Sequence, residues 1–111
     1  MAHEKNQQLI DGLNNCVVAC EHCTMACLGE QDVKMLSRCI RLDLDCAAVC
    51  RLAVTLVARG SENANRILAE CADICDACAN ECEQHAHMEH CKQCAEACRV
   101  CAELCAQGAE V

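Results

Sequence analysis

Residues 91–105 read CKQCAEACRVCAELC, and their cysteines follow one another at alternating steps of three and four residues. The same alternation relates two earlier sets of cysteines, Cys16, Cys20, Cys23 and Cys27, and then Cys71, Cys75, Cys78 and Cys82. Steps of three and four keep side chains on one side of an α-helix, as in helices that face a bundle core. A shorter stripe is formed by Cys39, Cys46 and Cys50. The spacing therefore predicts four helices, each carrying a stripe of cysteines on its inner face.

Glycines and polar residues divide the chain between these stripes. Gly29, Gly60 and Gly108 follow the first, second and last runs, and a polar stretch at 84–87 separates the third from the fourth. Glycine commonly ends a helix, and short connections make consecutive helices antiparallel neighbours. We expect one domain, residues 1–111, with helices at about 6–28, 31–59, 62–85 and 88–107. The predicted fold is all-α, an antiparallel up-down-up-down four-helix bundle with a cysteine-lined core.

The composition limits the compartment and the partners. The first nine residues are polar and carry no apolar segment of the kind a secretory signal needs, and no run of residues has the uninterrupted apolar length of a membrane span. We therefore expect a cytoplasmic protein, whose thiols stay reduced. The net charge of −8 disfavours nucleic acid and anionic membrane surfaces as partners. Sixteen cysteines in a reducing compartment favour metal binding over a disulfide framework.

The density of cysteine also argues against a purely structural role. Free cysteine packs as a small apolar residue. A core built for stability prefers larger side chains, because the hydrophobic free energy of folding grows with the apolar area buried. We therefore predict that every cysteine is a metal ligand. These residues are Cys16, Cys20, Cys23, Cys27, Cys39, Cys46, Cys50, Cys71, Cys75, Cys78, Cys82, Cys91, Cys94, Cys98, Cys101 and Cys105.

The repeated unit Cys-x-x-x-Cys favours Cu(I) as the metal. One helical turn separates the two sulfurs of a unit, so both thiolates can hold a single ion that accepts low coordination numbers. One Cu(I) per thiolate also leaves the buried core nearly neutral, whereas four thiolates around Zn²⁺ leave excess negative charge. The predicted function is storage and buffering of many Cu(I) ions, roughly one per cysteine. The alternatives are a zinc or cadmium thiolate protein of metallothionein type and an iron–sulfur electron-transfer protein. An enzyme is not expected, because no set of nucleophile, base and orienting residue is evident.

Other side chains are candidates for additional ligands. Asp43 lies one helical turn after Cys39 on the same stripe, where its carboxylate is either an occasional ligand or a polar residue near a crevice. His87 precedes Cys91 by four residues and would complete a Cys/His pair if the helix has begun. Thioether and imidazole are neutral copper ligands, so one end of the bundle is a candidate copper entrance. Its residues are Met35, His85, His87, Met88 and His90; the alternative is an exposed polar turn beside an ordinary core methionine. At the other end, Leu9, Val57 and Ile67 continue the stripes as an apolar plug.

The segment from Glu81 to Cys105, ECEQHAHMEHCKQCAEACRVCAELC, together with the stripes from Cys16 onward, resembles the four-helix-bundle copper storage proteins, specifically their cytosolic bacterial branch. The resemblance implies inward-facing cysteines, Cu(I) storage in copper homeostasis and an open end that bears histidine and methionine. It also implies an acidic ligand at the position of Asp43 and assembly into homotetramers. Self-association is suggested independently by Leu44, Ala48 and Leu52, an apolar back face on the second helix.

Overall fold

Four long helices account for nearly all of the chain in a computed structural model that describes residues 2–110, with side chains from residue 6 onward. Their bounds are α1 Ala2–Leu28, α2 Ser37–Arg59, α3 Ala64–Glu83 and α4 Glu89–Ala109, and a short 3-10 helix, Val33–Leu36, precedes α2. The predicted all-α four-helix bundle is confirmed.

The helices form a four-sided bundle in which consecutive helices pack on each other and α1 also packs on α4. The bundle measures 46 × 20 × 17 Å. Successive cysteines of α2 contact cysteines of α3 in the reverse chain order. The pairs are Cys39–Cys82, Cys46–Cys75 and Cys50–Cys71. Helices α2 and α3 are therefore antiparallel, and the pairs Cys16–Cys98 and Cys27–Cys91 show the same for α1 and α4. Between residues 2 and 110, no helix combines the length and apolar character that a membrane crossing requires.

The connection from α2 to α3 is built on Gly60, whose φ of 64° is left-handed. The N–H of Gly60 donates to the carbonyl of Val57, and the N–H of Ser61 donates to the carbonyl of Leu56, both at 3.0 Å. This is the Schellman pattern, which satisfies the last carbonyls of a helix and favours glycine. Ser61 then accepts a hydrogen bond from the N–H of Asn63, so α3 begins at Ala64, two residues later than predicted.

The connection from α1 to α2 differs from the prediction of a helix from about residue 31. Residues 33–36 form a 3-10 helix, and α2 begins only at Ser37. A 3-10 helix has three residues per turn rather than 3.6. Residues 33–36 therefore do not face the directions that the α-helical spacing of the α2 cysteines would predict. As a result Leu36 is buried and Met35 is 53% exposed. Met35 therefore lies at the surface, and the alternative that it is an ordinary core methionine is wrong.

The end of the bundle that holds the α1 N-terminus is filled by aliphatic side chains. Leu9, Val57 and Leu68 are buried there, Leu13 is fully buried, and Ile67 is half-buried against them. Gly12 faces Leu104 so closely that a Cβ at this position would overlap the leucine side chain. The core is thus closed at this end by leucine packing, and the connections at 29–36 and 84–88 lie at the opposite end.

Candidate metal centre

The cysteine side chains occupy the axis of the bundle. All sixteen are free thiols with no exposed surface, and they come from all four helices. Alanine and aliphatic side chains lie around them, because each helix turns its cysteine stripe inward. The arrangement is a buried column of sulfur that runs between the leucine-filled end and the end with the histidines.

The deep part of the column is a set of thiols shared between helices. Sγ atoms of Cys50, Cys71, Cys75 and Cys101 all lie within 4.8 Å of one another, and Cys101 is 3.8 Å from Cys105. A second group of the same compactness consists of Cys16, Cys46, Cys50 and Cys75. Because Cys50 and Cys75 belong to both groups, metal ions bound in them would share thiolates as bridging ligands.

The middle of the column continues without a gap. Sγ of Cys16 lies 3.6 Å from that of Cys46 and 3.7 Å from that of Cys98, and Cys20 lies 3.8 Å from both Cys94 and Cys98. Distances of this size allow one small soft ion to contact two or more sulfurs, as Cu(I) does in thiolate sites.

The outer part of the column is a group nearer the histidines. Sγ atoms of Cys23, Cys27, Cys39 and Cys91 lie within 4.8 Å of one another, and Cys39 is 3.5 Å from Cys82. Burial raises the pKa of the Cys27 thiol to about 11, and burial likewise raises the pKa of Cys91. Thiols of this kind hold their protons at neutral pH, so metal binding must release them.

Asp43 lies between the outer and middle sulfurs. Its side chain is fully buried, and its Oδ1 accepts hydrogen bonds from the thiols of Cys78 at 3.1 Å and Cys94 at 3.3 Å. Its Oδ2 has no hydrogen-bond partner within residues 6–110. Burial raises the pKa of Asp43 to about 10. The carboxyl group predicted to share the stripe of Cys39 is therefore in the column, and a metal that binds its free oxygen must displace a proton.

Pairing by sequence spacing accounts for only part of these contacts. Four Cys-x-x-x-Cys pairs have sulfurs 3.8–4.0 Å apart, namely Cys23/Cys27, Cys71/Cys75, Cys94/Cys98 and Cys101/Cys105. The shortest contacts, 3.5–3.6 Å, join different helices, as in Cys39–Cys82 and Cys16–Cys46. Contacts between helices depend on how the helices pack, which the spacing within one helix does not reveal.

The candidate entrance residues divide into two groups. His85 is buried, Met88 is half-buried against the core, and His90 is half-buried with its Nε2 fully buried and unpartnered among the side chains of 6–110. His87 and Met35 are exposed. His87 precedes the start of α4 at Glu89, so the helical spacing that would pair it with Cys91 does not apply.

A buried polar network at the same end was not predicted from the sequence. Glu81, on α3, is 7% exposed. Its Oε1 accepts a hydrogen bond from Arg38 at 2.8 Å, and its Oε2 is 3.0 Å from Nε2 of His85. The four-residue spacing of Glu81 and His85 could have predicted that these two side chains are neighbours. Arg38 lies on another helix, so no spacing in the sequence predicts its contact with Glu81.

Comparison with known proteins finds a matching family and a relative of similar sequence. A family model described as copper storage protein matches residues 2–110. The uncharacterized cysteine-rich protein YhjQ of Bacillus subtilis is 46% identical over 87 residues, which are 78% of this chain and 80% of that protein.

Solved structures of other proteins match at similar identity. The Cu(I)-bound copper storage protein BsCsp3, from Bacillus subtilis, is 44% identical with a TM-score of 0.88, over 93% of this chain and 96% of that one. A cytosolic copper storage protein from Streptomyces lividans, described with five coppers, is 38% identical with a TM-score of 0.94, over 99% and 96% of the two chains.

Proposed function

The chain belongs to the copper storage protein family, and we propose that it stores and buffers Cu(I) in the cytosol on the thiolates of its core. The observation that carries this function is the continuous column of fully buried free thiols along the bundle axis. Relatives described as Cu(I)-bound and as cytosolic support the ion and the compartment.

We propose all sixteen cysteines as the ligands, with loading of roughly one Cu(I) per thiol. Each Cu(I) cancels the charge of one thiolate, so a fully loaded core is close to neutral, which a low-dielectric interior requires. Sulfurs that belong to two four-sulfur groups, such as Cys50 and Cys75, would bridge neighbouring ions. Asp43 would add an oxygen ligand between the outer and middle sulfurs.

The direct test is an anaerobic titration of the reduced, metal-free protein with Cu(I), followed by metal analysis per subunit. We expect binding of roughly one copper for each cysteine and retention against a strong Cu(I) chelator. Saturation at only a few coppers per subunit would contradict the proposal. Tight zinc binding with weak copper retention would favour the metallothionein-type alternative, and a brown protein with visible charge-transfer bands would favour the iron–sulfur one.

The end of the bundle with the histidines is our candidate for the copper entrance. His85 is buried and Met88 and His90 are half-buried there, while His87 and Met35 are at the surface. The opposite end is filled by leucines, which offer no ligand. Ions would thus meet neutral, soft donors before they reach the thiols. Storage of this kind needs no catalytic step, and we propose that the protein is not an enzyme.

We also propose that the protein is a homo-oligomer, a tetramer by family resemblance. The apolar back face of α2 supports this, because Leu44 and Leu52 are 48% and 45% exposed. Val18 and Met25, on one side of the neighbouring helix α1, are exposed as well. Exposed apolar side chains that cluster on adjoining helices are typical of surfaces covered by another subunit.

A further inference from the structure

Glu81 connects three parts of the bundle at the candidate entrance. It lies near the end of α3, it binds Arg38 in the first turns of α2, and it binds His85 in the connection to α4. The side chains of Glu81 and His85 are only 9% and 10% exposed, whereas that of Arg38 is 64% exposed. A carboxylate this well buried with both oxygens engaged is held in one orientation.

The hydrogen bond to Glu81 decides which nitrogen of His85 carries the proton. A carboxylate oxygen only accepts, so Nε2 of His85 must donate across the 3.0 Å distance. In a neutral imidazole the other nitrogen then has a free lone pair. Among residues 6–110, the hydrogen bond of the His85 ring is made by Nε2, to Glu81. Nδ1 is therefore the nitrogen left to bind an arriving ion.

Arg38 determines whether an ion at the candidate entrance encounters the carboxylate of Glu81 or the imidazole of His85. Its guanidinium occupies Oε1 of Glu81 at 2.8 Å and balances the carboxylate charge. A free carboxylate would be a hard, anionic ligand that suits divalent ions such as Mg²⁺ or Ca²⁺. With both oxygens engaged, the available donor is the neutral imidazole nitrogen, which suits copper.

We propose that Glu81, held by Arg38, is a positioning residue that fixes His85 with its proton on Nε2 and presents Nδ1 to incoming Cu(I). This inference rests on the proposed storage function, in which His85 is an entrance ligand. The arrangement is the carboxylate–histidine–metal relation that commonly orients histidine ligands from behind.

The first test needs no copper. The tautomer of His85 is read from the ¹⁵N shifts of the ring in reduced, metal-free protein, at a pH where the imidazole is neutral. Wild type is expected to carry the proton on Nε2. In Glu81→Gln, Arg38 can only donate and so takes the amide oxygen, which turns the NH₂ group toward His85. The ring must then accept at Nε2, and the proton is expected on Nδ1.

The second test is the rate of Cu(I) uptake in stopped-flow mixing. Glu81→Gln is expected to slow uptake by about tenfold or more, the size of effect that outer partners of histidine ligands have on metal affinity or activity. Final copper content per subunit should be unchanged. The matched control is Glu83→Gln, on the same helix, which removes the exposed ion pair with Arg99 and should leave the rate as in wild type.

A double variant separates positioning from general disturbance of this end of the bundle. If Glu81 acts through His85, Glu81→Gln adds nothing to the slow uptake of His85→Ala. A wild-type tautomer in Glu81→Gln, or additive effects in the double variant, would overturn the inference while leaving storage intact. Failure of the storage proposal itself would be visible separately, as low copper content in wild type and all variants alike.

Discussion

Asp43 places a carboxyl group among thiols in the interior of the bundle, and its protonation state depends on the fold. Its pKa is raised to about 10, chiefly because burial disfavours the charged form. In the unfolded chain an aspartate titrates with a pKa near 3.9. The folded state therefore keeps a proton that the unfolded state loses over the intervening pH range.

This difference predicts how metal-free stability varies with pH. The contribution of Asp43 is fully present below the unfolded pKa of about 3.9 and is lost as pH rises toward the folded value of about 10. The free energy of unfolding of wild type should fall between roughly pH 5 and 8, a range below the ordinary thiol pKa of about 8.5. The slope from one group is at most about 1.4 kcal/mol per pH unit.

The substitution Asp43→Asn should flatten this dependence, because an amide does not titrate. Urea unfolding of the reduced, metal-free protein, followed by circular dichroism across that pH range, measures it. Asp45→Asn is the control, since Asp45 is exposed on the same helix and should leave the slope unchanged. Equal slopes in wild type and Asp43→Asn would contradict the prediction.

At the scale of helices, the sequence predicts what depends on local periodicity and misses what depends on packing. The stripes from Cys16 to Cys105 indicated four inward-facing helices, and the structure has them. The 3-10 helix before α2 was not predictable from the cysteine spacing, because it contains no cysteine and its tighter turn changes the direction in which Met35 points. Contacts such as Cys39–Cys82 and the partnership of Arg38 with Glu81 join separate helices, and no periodic signal reports them.

The end of α2 gives a prediction for a single helix terminus. Gly60 has a left-handed φ of 64°, where a side chain is strained although no atom lies within 4 Å of the place that a Cβ would occupy. Gly60→Ala should destabilise the metal-free protein by about 1–2 kcal/mol. Gly29→Ala is the control, because φ is not left-handed there and a Cβ would make ordinary contacts. Thermal unfolding of the two variants, compared in reducing buffer, checks this; equal melting temperatures would show that the terminus tolerates a side chain.

At the scale of the whole molecule, the apolar surface on α1 and α2 predicts assembly. An ion pair between Arg51 and Glu21, 2.7 Å apart, links the two helices on the exterior, and Leu44 and Leu52 are exposed on α2. Replacing both leucines with glutamate should lower the oligomeric state, because charge is costly in a buried apolar contact.

Analytical ultracentrifugation measures this outcome. The control is Val100→Glu, which changes an exposed apolar residue on α4, away from that face. Copper content per subunit should be the same in all three proteins, because the thiols lie inside each bundle. A monomeric wild type, or a leucine variant that sediments like wild type, would rule out this face as the interface.

A core made of sulfur and aliphatic carbon has an optical consequence. With no tryptophan, tyrosine or phenylalanine in the chain, the reduced protein has almost no near-ultraviolet absorption of its own. Charge-transfer bands from thiolate to bound metal would therefore appear with almost no overlapping absorption from the protein. The binding of successive ions to the column should therefore be measurable as a stepwise rise in ultraviolet absorbance, without any attached reporter.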